Sequence, residues 1–349
     1  MPEQVLAGVP RELFTHISSA HCENGAIAVL LHHKGLSLSE PLIFGIGGGL
    51  FFSHMPFVRL HGMPVTSFRP LPGQIFRRLS RRLGIRVVTR RFRNPEEAMD
   101  ALDANLAQGI PTACLVGVFH LPYFPPHYRF HFNAHNLVVF LREGHRYYIS
   151  DPVMPEVTTL TRDELALVRF AKGTAAPRGK MYWIEEVPEN PPLRQAILRG
   201  IRRNMYDMLA IPLPFFGVKG IRYLARRMQQ WPRRLGSRRA ALYLGQVVRM
   251  QEEIGTGGAG FRYMYAAFLS EAGRLLRDED FRSFALEMNH IGDLWRQFAI
   301  EAARLCKNRH SENICSGYIS VAHYLRLIAD AEEAFYKKVW HKARVLLGS

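Results

Sequence analysis

The sequence predicts an α+β domain followed by an all-helical region. Up to residue 187, apolar runs typical of strands are mixed with helical patterns, whereas beyond residue 193 the strand signal disappears and long amphipathic helices follow one another. The segment VPENPP at 187–192 lies between the two patterns and is typical of a linker or hinge. We therefore expect one domain at 1–187 and a helical domain at 193–349.

The first domain mixes helices and strands. Its first helix has Ser19 as a suitable N-cap, apolar residues on one face and Gly35 as a stop. A helix at 94–108 has Asn94 as its cap and a proline at its first position. The remaining patterns predict a basic helix at 77–83, strands at 85–88 and 111–119, and a hairpin formed by 136–141 and 146–150.

The second domain is helical throughout. The predicted helices are 193–210, 217–230, 237–254, 261–276, 278–305 and 311–346. A chain of 349 residues is long enough for two domains with cores of their own.

The composition excludes several classes of protein. No stretch of eighteen apolar residues occurs, so we expect no transmembrane helix, and the first residues lack the pattern of a signal peptide. The cysteines form no CxxC pair and are too few for a disulfide framework. They are Cys22, Cys114, Cys306 and Cys315. We therefore expect a cytoplasmic protein whose thiols stay reduced.

The net charge of +16 indicates an acidic or anionic partner. Eight arginines lie at 77–93, and thirteen lysines or arginines oppose the single acid Asp207 at 193–250. No nucleic-acid module signature appears, so we expect no nucleic-acid partner. Residues 201–239 combine arginine pairs with apolar residues and fit an anionic membrane surface, which would place the protein at the periphery of the inner membrane. The apolar residues of this pattern are Met205, Leu209, Phe215, Phe216, Tyr223, Leu224 and Trp231.

Cys22 is the strongest candidate for a nucleophile. With Ser19 as the cap, Cys22 lies in the first turn of its helix, where the dipole and the N–H groups favour a thiolate. Such a thiol needs a base beside it and a carboxylate that orients the base. The alternative is a small buried hydrophobe, which is the better interpretation of Cys114 in its apolar strand.

His135 and Asp151 lie at the open end of the predicted hairpin. If the hairpin loop is centred on Glu143, residues whose numbers sum to 286 are paired, and His135 then faces Asp151. A loop centred between Glu143 and Gly144 shifts the register and separates the two, unless a bulge restores the contact. Each residue alone could be structural, but a cysteine at a helix start followed by His and Asp at strand ends favours a catalytic triad.

The histidines near His135 also invite a metal site. Three prolines at 122–126 break any helix there, so His131 and His135 share no helical face and we expect no metal. The aromatic segment FHLPYFPPHYRFHF at 119–132, which contains His120 and His127, is better explained as a loop that shapes a pocket over the site.

Several motifs together resemble the family of butirosin biosynthesis protein H. They are HCENGA at 21–26, LSEP at 38–41, FGIGGGL at 44–50, AHN at 134–136, ISDP at 149–152, and GTGGAGFR at 255–262 with Met264 and Tyr265 after it. The resemblance covers most of the chain, and its first and last motifs are the most specific.

The resemblance implies a fold similar to papain-like, bacteriocin-processing peptidases of the C39 type. The type member moves an aminoacyl group from an acyl carrier protein to an aminoglycoside amine. By position, Cys22 would hold the acyl group as a thioester, His135 would act as base and acid, and Asp151 would orient His135. The helical domain would complete the site for the acyl group and its acceptor.

The resemblance also implies the partners. They are an acidic acyl carrier protein, whose phosphopantetheine arm is the donor, and a small-molecule amine or hydroxyl acceptor. No bound cofactor is implied.

Further residues are candidates for roles in such an enzyme. Papain-like enzymes often place an oxyanion donor shortly before the cysteine, which makes His16 or His21 a candidate beside the Cys22 N–H. Glu40 is a candidate for orienting the glycine loop or binding an amine. The candidates for contact with a substrate arm or its phosphate are Gly47, Gly48, Gly49, Gly257, Gly258 and Arg262. Plain turns and helix connections are equally compatible with these glycines.

Two alternatives to an acyltransferase stay open. A papain-like cysteine peptidase or amidase would use the same three residues, and water would then reach the thioester. A basic protein that binds a membrane surface without catalysis would not depend on Cys22 at all.

Overall fold

The fold is that of a computed structural model, in which residues 14–60, 62–308, 310 and 313–348 are described, His127 by its backbone alone. The helices are α1 Cys22–His33, α2 Glu40–Ile46, α3 Gln74–Leu83, α4 Pro95–Ala107, α5 Arg162–Arg169, α6 Leu193–Leu209, α7 Gly217–Met228, α8 Trp231–Leu235, α9 Ser237–Glu252, α10 Arg262–Leu276, α11 Glu279–Lys307 and α12 Ile314–Gly348. The strands are β1 Ser53–Leu60, β2 Met63–Ser67, β3 Arg86–Arg90, β4 Thr112–Val116, β5 His135–Glu143, β6 Arg146–Ser150, β7 Thr158–Thr161 and β8 Met181–Glu186.

Contacts divide the chain into two compact units. The first unit comprises Met1–Glu40 and Gly84–Pro191, and the second comprises Pro41–Leu83 and Pro192–Ser349. The chain passes from the first unit to the second between Pro191 and Pro192, within the segment 187–192, whereas the predicted first domain also included 41–83. That segment lies in the second unit because its elements pack against α6, α7 and α9.

The first unit is built on a six-stranded antiparallel sheet with the strand order β3-β8-β4-β5-β6-β7. Successive side chains of a strand point to opposite faces. Leu137 and Val139 of β5 therefore join a core with α4 and α5, whereas Asn136, which precedes Leu137, faces α1. The α+β class expected for this part of the chain is confirmed.

The hairpin β5–β6 differs from the predicted register. Glu143 pairs with Arg146 across a two-residue turn, so partner numbers sum to 289 there. An odd sum would place His135 and Asp151 on opposite faces. A bulge at Phe140 changes the sum to 288 for the rest of the hairpin, which returns both residues to one face, two positions out of direct opposition.

The second unit is helical except for the hairpin β1–β2. The six helices predicted beyond the hinge are confirmed, and α8 is an additional short helix. The long helices α11 and α12 pack on each other, and α12 also packs on α6 and α7. The sequence does not predict β1–β2, because Pro56 and Pro64 interrupt the strand patterns.

The three glycines at 47–49 close the helix α2. The N–H groups of Gly47 and Gly49 donate to carbonyl groups of α2, and Gly48 has the left-handed φ of +70°. A Cβ atom at Gly47 would lie 2.4 Å from Ile75, and one at Gly49 would lie 2.3 Å from the Phe44 ring. Helix closure and packing thus explain these glycines, and their predicted contact with a substrate arm gains no support.

Arg262 occupies a different place from the predicted phosphate site. Its side chain is fully buried, and its Nε and Nη2 donate to the carboxylate of Glu332 at 2.8 and 3.2 Å. The guanidinium also lies over the ring of Trp295 at 4.9 Å. Arg262 is therefore part of the core of the helical unit and is not available to a phosphate.

The N–H groups of the loop before Arg262 also have hydrogen-bond partners within the chain. The N–H of Gly258 donates to the hydroxyl of Thr256, and that of Ala259 donates to the carboxylate of Glu252. The same carboxylate pairs with Arg296 at 3.3 Å. Because these N–H groups and this arginine already have acceptors on the chain, the predicted phosphate role of Gly257 and Gly258 gains no support either.

The apolar residues of the membrane-surface pattern serve packing. Met205, Leu224 and Trp231 are buried. The other four are partly buried, namely Leu209, Phe215, Phe216 and Tyr223. Over the part of the chain that the structure describes, no helix combines the length and apolar character needed to cross a membrane.

We expect Arg262→Met to destabilise the protein strongly. Removing one partner of a buried ion pair leaves the other charge uncompensated, which costs about 3–5 kcal/mol. The free energy of unfolding from a urea titration, followed by circular dichroism, would report this loss. The control Arg282→Met removes an exposed pair with Glu279 and should cost less than about 1 kcal/mol. An equal loss in both variants would contradict the core role of Arg262.

Candidate active site

Cys22 is the first residue of α1, and backbone hydrogen bonds fix its position. The N-cap is His21, whose Nδ1 accepts from the N–H of Asn24 at 3.4 Å. The carboxylate of Glu40 accepts from the N–H groups of Ala20 and His21, at 3.0 and 2.8 Å. At this end of a helix the N–H groups have no intrahelical acceptor, and the dipole favours an anion such as a thiolate.

Glu40 thus holds the segment that leads into Cys22. Burial raises the pKa of its carboxyl group, and hydrogen bonds from Ala20, His21 and Asn24 act in the opposite direction. Because both carboxylate oxygens accept backbone hydrogen bonds, Glu40 is better described as a positioning residue than as a group that binds an amine.

Ser19 is not the helix cap that the sequence predicts. Its N–H donates to the carbonyl of Pro152 at 2.7 Å, which ties the segment before Cys22 to the segment after Asp151. A Cβ atom at Gly25 would lie 2.3 Å from the Cβ of Pro152, so only glycine permits this close approach of α1.

The bond between His135 and Asp151 lies next to this junction. Nε2 of His135 is 2.7 Å from Oδ2 of Asp151, and both side chains are buried. The same oxygen accepts from the hydroxyl of Tyr123 at 2.8 Å, and Oδ1 accepts from the N–H of Val153 at 3.2 Å. Three donors therefore compensate the buried carboxylate and fix its orientation.

His135 connects this carboxylate to the thiol of Cys22. Burial alone would lower the pKa of His135, but the charges of Asp151 and Cys22 and the hydrogen bonds to both raise it to about 10. Since Nε2 forms a hydrogen bond with Asp151, Nδ1 is the ring nitrogen that can interact with the thiol of Cys22. A protonated His135 beside Cys22 favours the thiolate, which is the nucleophilic form of cysteine.

Asn136 is a site residue that sequence reasoning missed. Its Nδ2 lies 3.9 Å from Sγ of Cys22, and its Oδ1 accepts from the hydroxyl of Tyr182 at 3.0 Å. Nδ2 also donates to the carbonyl of Ala134 at 3.4 Å. Because a carbonyl oxygen can only accept, this contact fixes which end of the amide is the NH₂ group, and that end faces Cys22. The alternation of β5 could have indicated this, since it puts Asn136 on the face that carries α1.

The two histidines predicted as oxyanion donors have other partners. His16 contacts the hydroxyl of Ser150 through Nδ1 at 2.8 Å and the carbonyl of Met154 through Nε2 at 3.1 Å. Both ring nitrogens of His16 thus form hydrogen bonds with residues on either side of Asp151. His21 caps α1 through its Nδ1.

The aromatic segment at 119–132 contributes to the surroundings of His135. The ring of Phe124 packs edge-on against the His135 ring, with centroids 5.5 Å apart, and Tyr123 donates to Asp151. His131 stacks on Phe119, with centroids 4.1 Å apart. Among the described residues no group of three or more His, Cys, Asp or Glu could hold a metal ion, and the side chain of His127 lies outside them.

The other cysteines lie in different surroundings. Cys114 is fully buried in β4, and burial raises the pKa of its thiol. The thiol of Cys306 donates to the carbonyl of Ala241 at 3.4 Å, within the second unit. In the first unit, Cys22 is therefore the thiol with a histidine and a helix N-terminus beside it.

Comparisons with known proteins cover both halves of the chain. The family model described as butirosin biosynthesis protein H, N-terminal, matches residues 21–152, and that of a domain of unknown function (DUF4872) matches residues 163–339, half of the chain. A solved structure from Bacillus anthracis described as a C39-like peptidase aligns with 53% of this chain and 98% of its own, at 13% identity and a TM-score of 0.34. A search of curated proteins finds no match.

The structure thus brings together a cysteine at a helix N-terminus, a histidine and a buried carboxylate, which are the groups that a cysteine nucleophile, its base and an orienting residue require. Both matched regions follow the order that the sequence motifs predict. The chain belongs to the family of butirosin biosynthesis protein H.

The raised pKa of His135 predicts an unusual pH profile for Cys22. Because the imidazolium persists up to about pH 10 and is lost only above it, the thiolate should be present throughout the neutral range. We expect the rate of alkylation of Cys22 by iodoacetamide, measured by peptide mass spectrometry, to change little between about pH 7 and about pH 9.

The variant His135→Asn lacks this cation, so the thiol should titrate at or above its ordinary pKa of about 8.5. Alkylation of Cys22 at about pH 7 should then be at least tenfold slower than at about pH 9. Cys306 in the same digest serves as the internal control. Parallel pH profiles for Cys22 in both proteins would contradict the ion pair.

Proposed function

We propose that this protein is an acyltransferase in natural-product or lipid biosynthesis, which takes an acyl group from an acyl-carrier-protein thioester and passes it to an amine or hydroxyl acceptor through an acyl-enzyme at Cys22. The observation that carries the proposal is the buried chain of contacts from Asp151 through His135 to Cys22. The membership in the family of butirosin biosynthesis protein H supports the same chemistry.

Acylation would begin from the ion pair. The Cys22 thiolate attacks the thioester carbonyl of the donor, and the new S–C bond forms as the bond to the pantetheine sulfur breaks. The leaving sulfur takes the proton from Nδ1 of His135, so a free thiol departs and His135 becomes neutral. Asp151 holds His135 in place through Nε2 during this step.

Deacylation would use the same histidine as a base. The charge of the Cys22 thiolate contributes to the raised pKa of His135, so converting that thiolate to a thioester makes His135 easier to deprotonate. The acceptor amine or hydroxyl attacks the acyl group while Nδ1 of His135 takes its proton. The Cys22 thiolate leaves, and the ion pair is restored.

The negative charge on the carbonyl oxygen needs donors in both steps. The NH₂ group of Asn136 lies beside Sγ of Cys22 and is oriented by Tyr182, so we assign it as one donor. The backbone N–H of Cys22 in the first turn of α1 is the other. This assignment replaces His16 and His21 in that role.

The charge of the protein supports the choice of donor. A net charge of +16 attracts an acidic carrier protein and speeds its association at low salt. The phosphopantetheine arm of the carrier would supply the thioester, and no cofactor bound to this chain takes part in the steps above.

Intact-protein mass spectrometry tests the acyl-enzyme. Mixed with acyl-loaded carrier proteins, the wild type should gain the mass of the acyl group and lose it again when an amine acceptor is added. The variant Cys22→Ala should gain nothing. A wild type that never gains mass, or an adduct that water removes as fast as an acceptor does, would contradict acyl transfer; the second result would indicate a hydrolase.

The oxyanion assignment predicts a graded loss of acylation. Removing one such donor typically costs about 10²–10³ in rate, so Asn136→Ala should slow acylation of Cys22 by that factor. Tyr182→Phe keeps the amide but loses its orientation and should cost less. Tyr148→Phe, which removes an exposed hydroxyl bonded to Glu143, is the control and should have the wild-type rate. Stopped-flow measurement of the acylation rate would separate these variants, and a wild-type rate for Asn136→Ala would contradict the assignment.

A further inference from the structure

A cavity of about 690 Å³ in the second unit is lined by arginines from three helices. Helix α6 presents Arg199, Arg202, Arg203 and Tyr206 on one face, because their spacing is that of successive helical turns. The end of α3 and the end of α12 complete the wall. The lining arginines are Arg81, Arg82, Arg199, Arg202, Arg203 and Arg344.

Among the described residues, Arg203 is the one cavity arginine that pairs with a carboxylate. Asp207 is the acid at this site, and it is already shared by Arg78 at 3.2 Å and Arg203 at 2.8 Å. Over the described residues, the structure gives no ion pair to the remaining cavity arginines on α3, α6 and α12. In the first unit, by contrast, the single side chain of Arg162 contacts three carboxylates.

Hydrogen bonds to backbone carbonyl groups hold positively charged side chains close together at this site. Burial and then the neighbouring positive charges of α3 and α6 together lower the pKa of Arg82 to about 10, although the charge of Asp207 acts in the opposite direction. Arg82 donates to the carbonyl of Ile46, and Arg78 donates to the carbonyl of Gly48 at 2.9 Å. Guanidinium groups that repel one another and are nevertheless fixed are arranged for an anion that is not part of this chain.

The shape of the site indicates the kind of anion. The planar guanidinium group matches the geometry of phosphoryl oxygens, with two parallel hydrogen bonds per contact. The volume lies within the range of about 300–1,000 Å³ that is typical of sites for small organic ligands. Trp340 and Tyr206 add aromatic surface to the wall, and the guanidinium of Arg203 lies 5.4 Å from the Tyr206 ring.

We propose that this cavity binds a small organic ligand with clustered phosphoryl groups, held by the arginines of α3, α6 and α12, with its organic part against Trp340 and Tyr206. The site lies within the second unit and is argued independently of acyl transfer at Cys22, so either assignment can fail without the other. A nucleoside triphosphate and coenzyme A share the chemistry that the cavity recognises.

Isothermal titration of the full-length protein tests the site, with inorganic triphosphate, ATP and coenzyme A as titrants. We expect saturable binding of triphosphate with one site per chain. The double variant Arg199→Gln/Arg202→Gln removes two exposed cavity arginines and should weaken that binding at least tenfold. The control Arg233→Gln/Arg234→Gln makes the same change of charge on α8, outside the cavity, and should bind within about twofold of the wild type.

The organic titrants identify the source of the phosphoryl groups. Tighter binding of ATP or of coenzyme A than of triphosphate, reduced to the triphosphate level by Trp340→Leu, would support the aromatic wall and name the better ligand. An absence of saturable binding by all three titrants would overturn the proposal. Equal losses of binding in both double variants would also overturn it. So would a single-stranded oligonucleotide, added as a fourth titrant, that binds tightly while the other three do not. Either result would indicate a general attraction of polyanions.

Discussion

The buried hydrogen bond between His135 and Asp151 is the interaction on which the first unit depends. It joins the start of β5 to the residue that follows β6, and it places an ionisable pair where water does not reach. Such a pair is costly unless the remaining lone pairs are satisfied. Tyr123 and the N–H of Val153 satisfy them, so the carboxylate is held by three separate parts of the chain.

This bond also determines what Cys22 can do. The segment after Asp151 is bonded to the segment before Cys22 through Ser19 and Pro152, and Gly25 allows α1 to approach that closely. His16 adds contacts to Ser150 and Met154 across the same junction. The thiol, the imidazole and the carboxylate are therefore positioned by backbone contacts around them, which is the preorganisation that nucleophilic catalysis requires.

The sequence predicted the helices far better than it predicted contacts. The amphipathic helices beyond the hinge and the helix capped by Asn94 follow from local patterns, and the structure has them at nearly the predicted positions. The pairing of His135 with Asp151 depended on a bulge at Phe140, which no local pattern places. The hairpin β1–β2 was not predicted, because prolines interrupt the strand patterns of both strands. This hairpin packs against helices of the second unit, so 41–83 belongs to that unit.

The roles of residues that were selected as candidates by their chemical type were harder to predict. Arg262 follows a glycine loop as a phosphate ligand would, yet its charge is neutralised inside the core by Glu332. Asn136 belongs to the AHN motif at 134–136, but only His135 of that motif was assigned a role, and Asn136 became a candidate when the fold placed it at Cys22. The contrast between Arg262 and the cavity residues Arg199 and Arg202 has the same origin, since a sequence does not reveal which guanidinium groups have a carboxylate partner.

The central claim is that Cys22 and His135 form an ion pair at neutral pH, and the ultraviolet absorbance of the Cys22 thiolate tests it most directly. The difference spectrum between the wild type and Cys22→Ser, recorded during a titration from alkaline to acidic pH, isolates this one thiol. We expect a thiolate signal that is already complete at neutral pH and is lost only in acid. A signal that appears only as the pH rises to the ordinary thiol pKa of about 8.5 would contradict it.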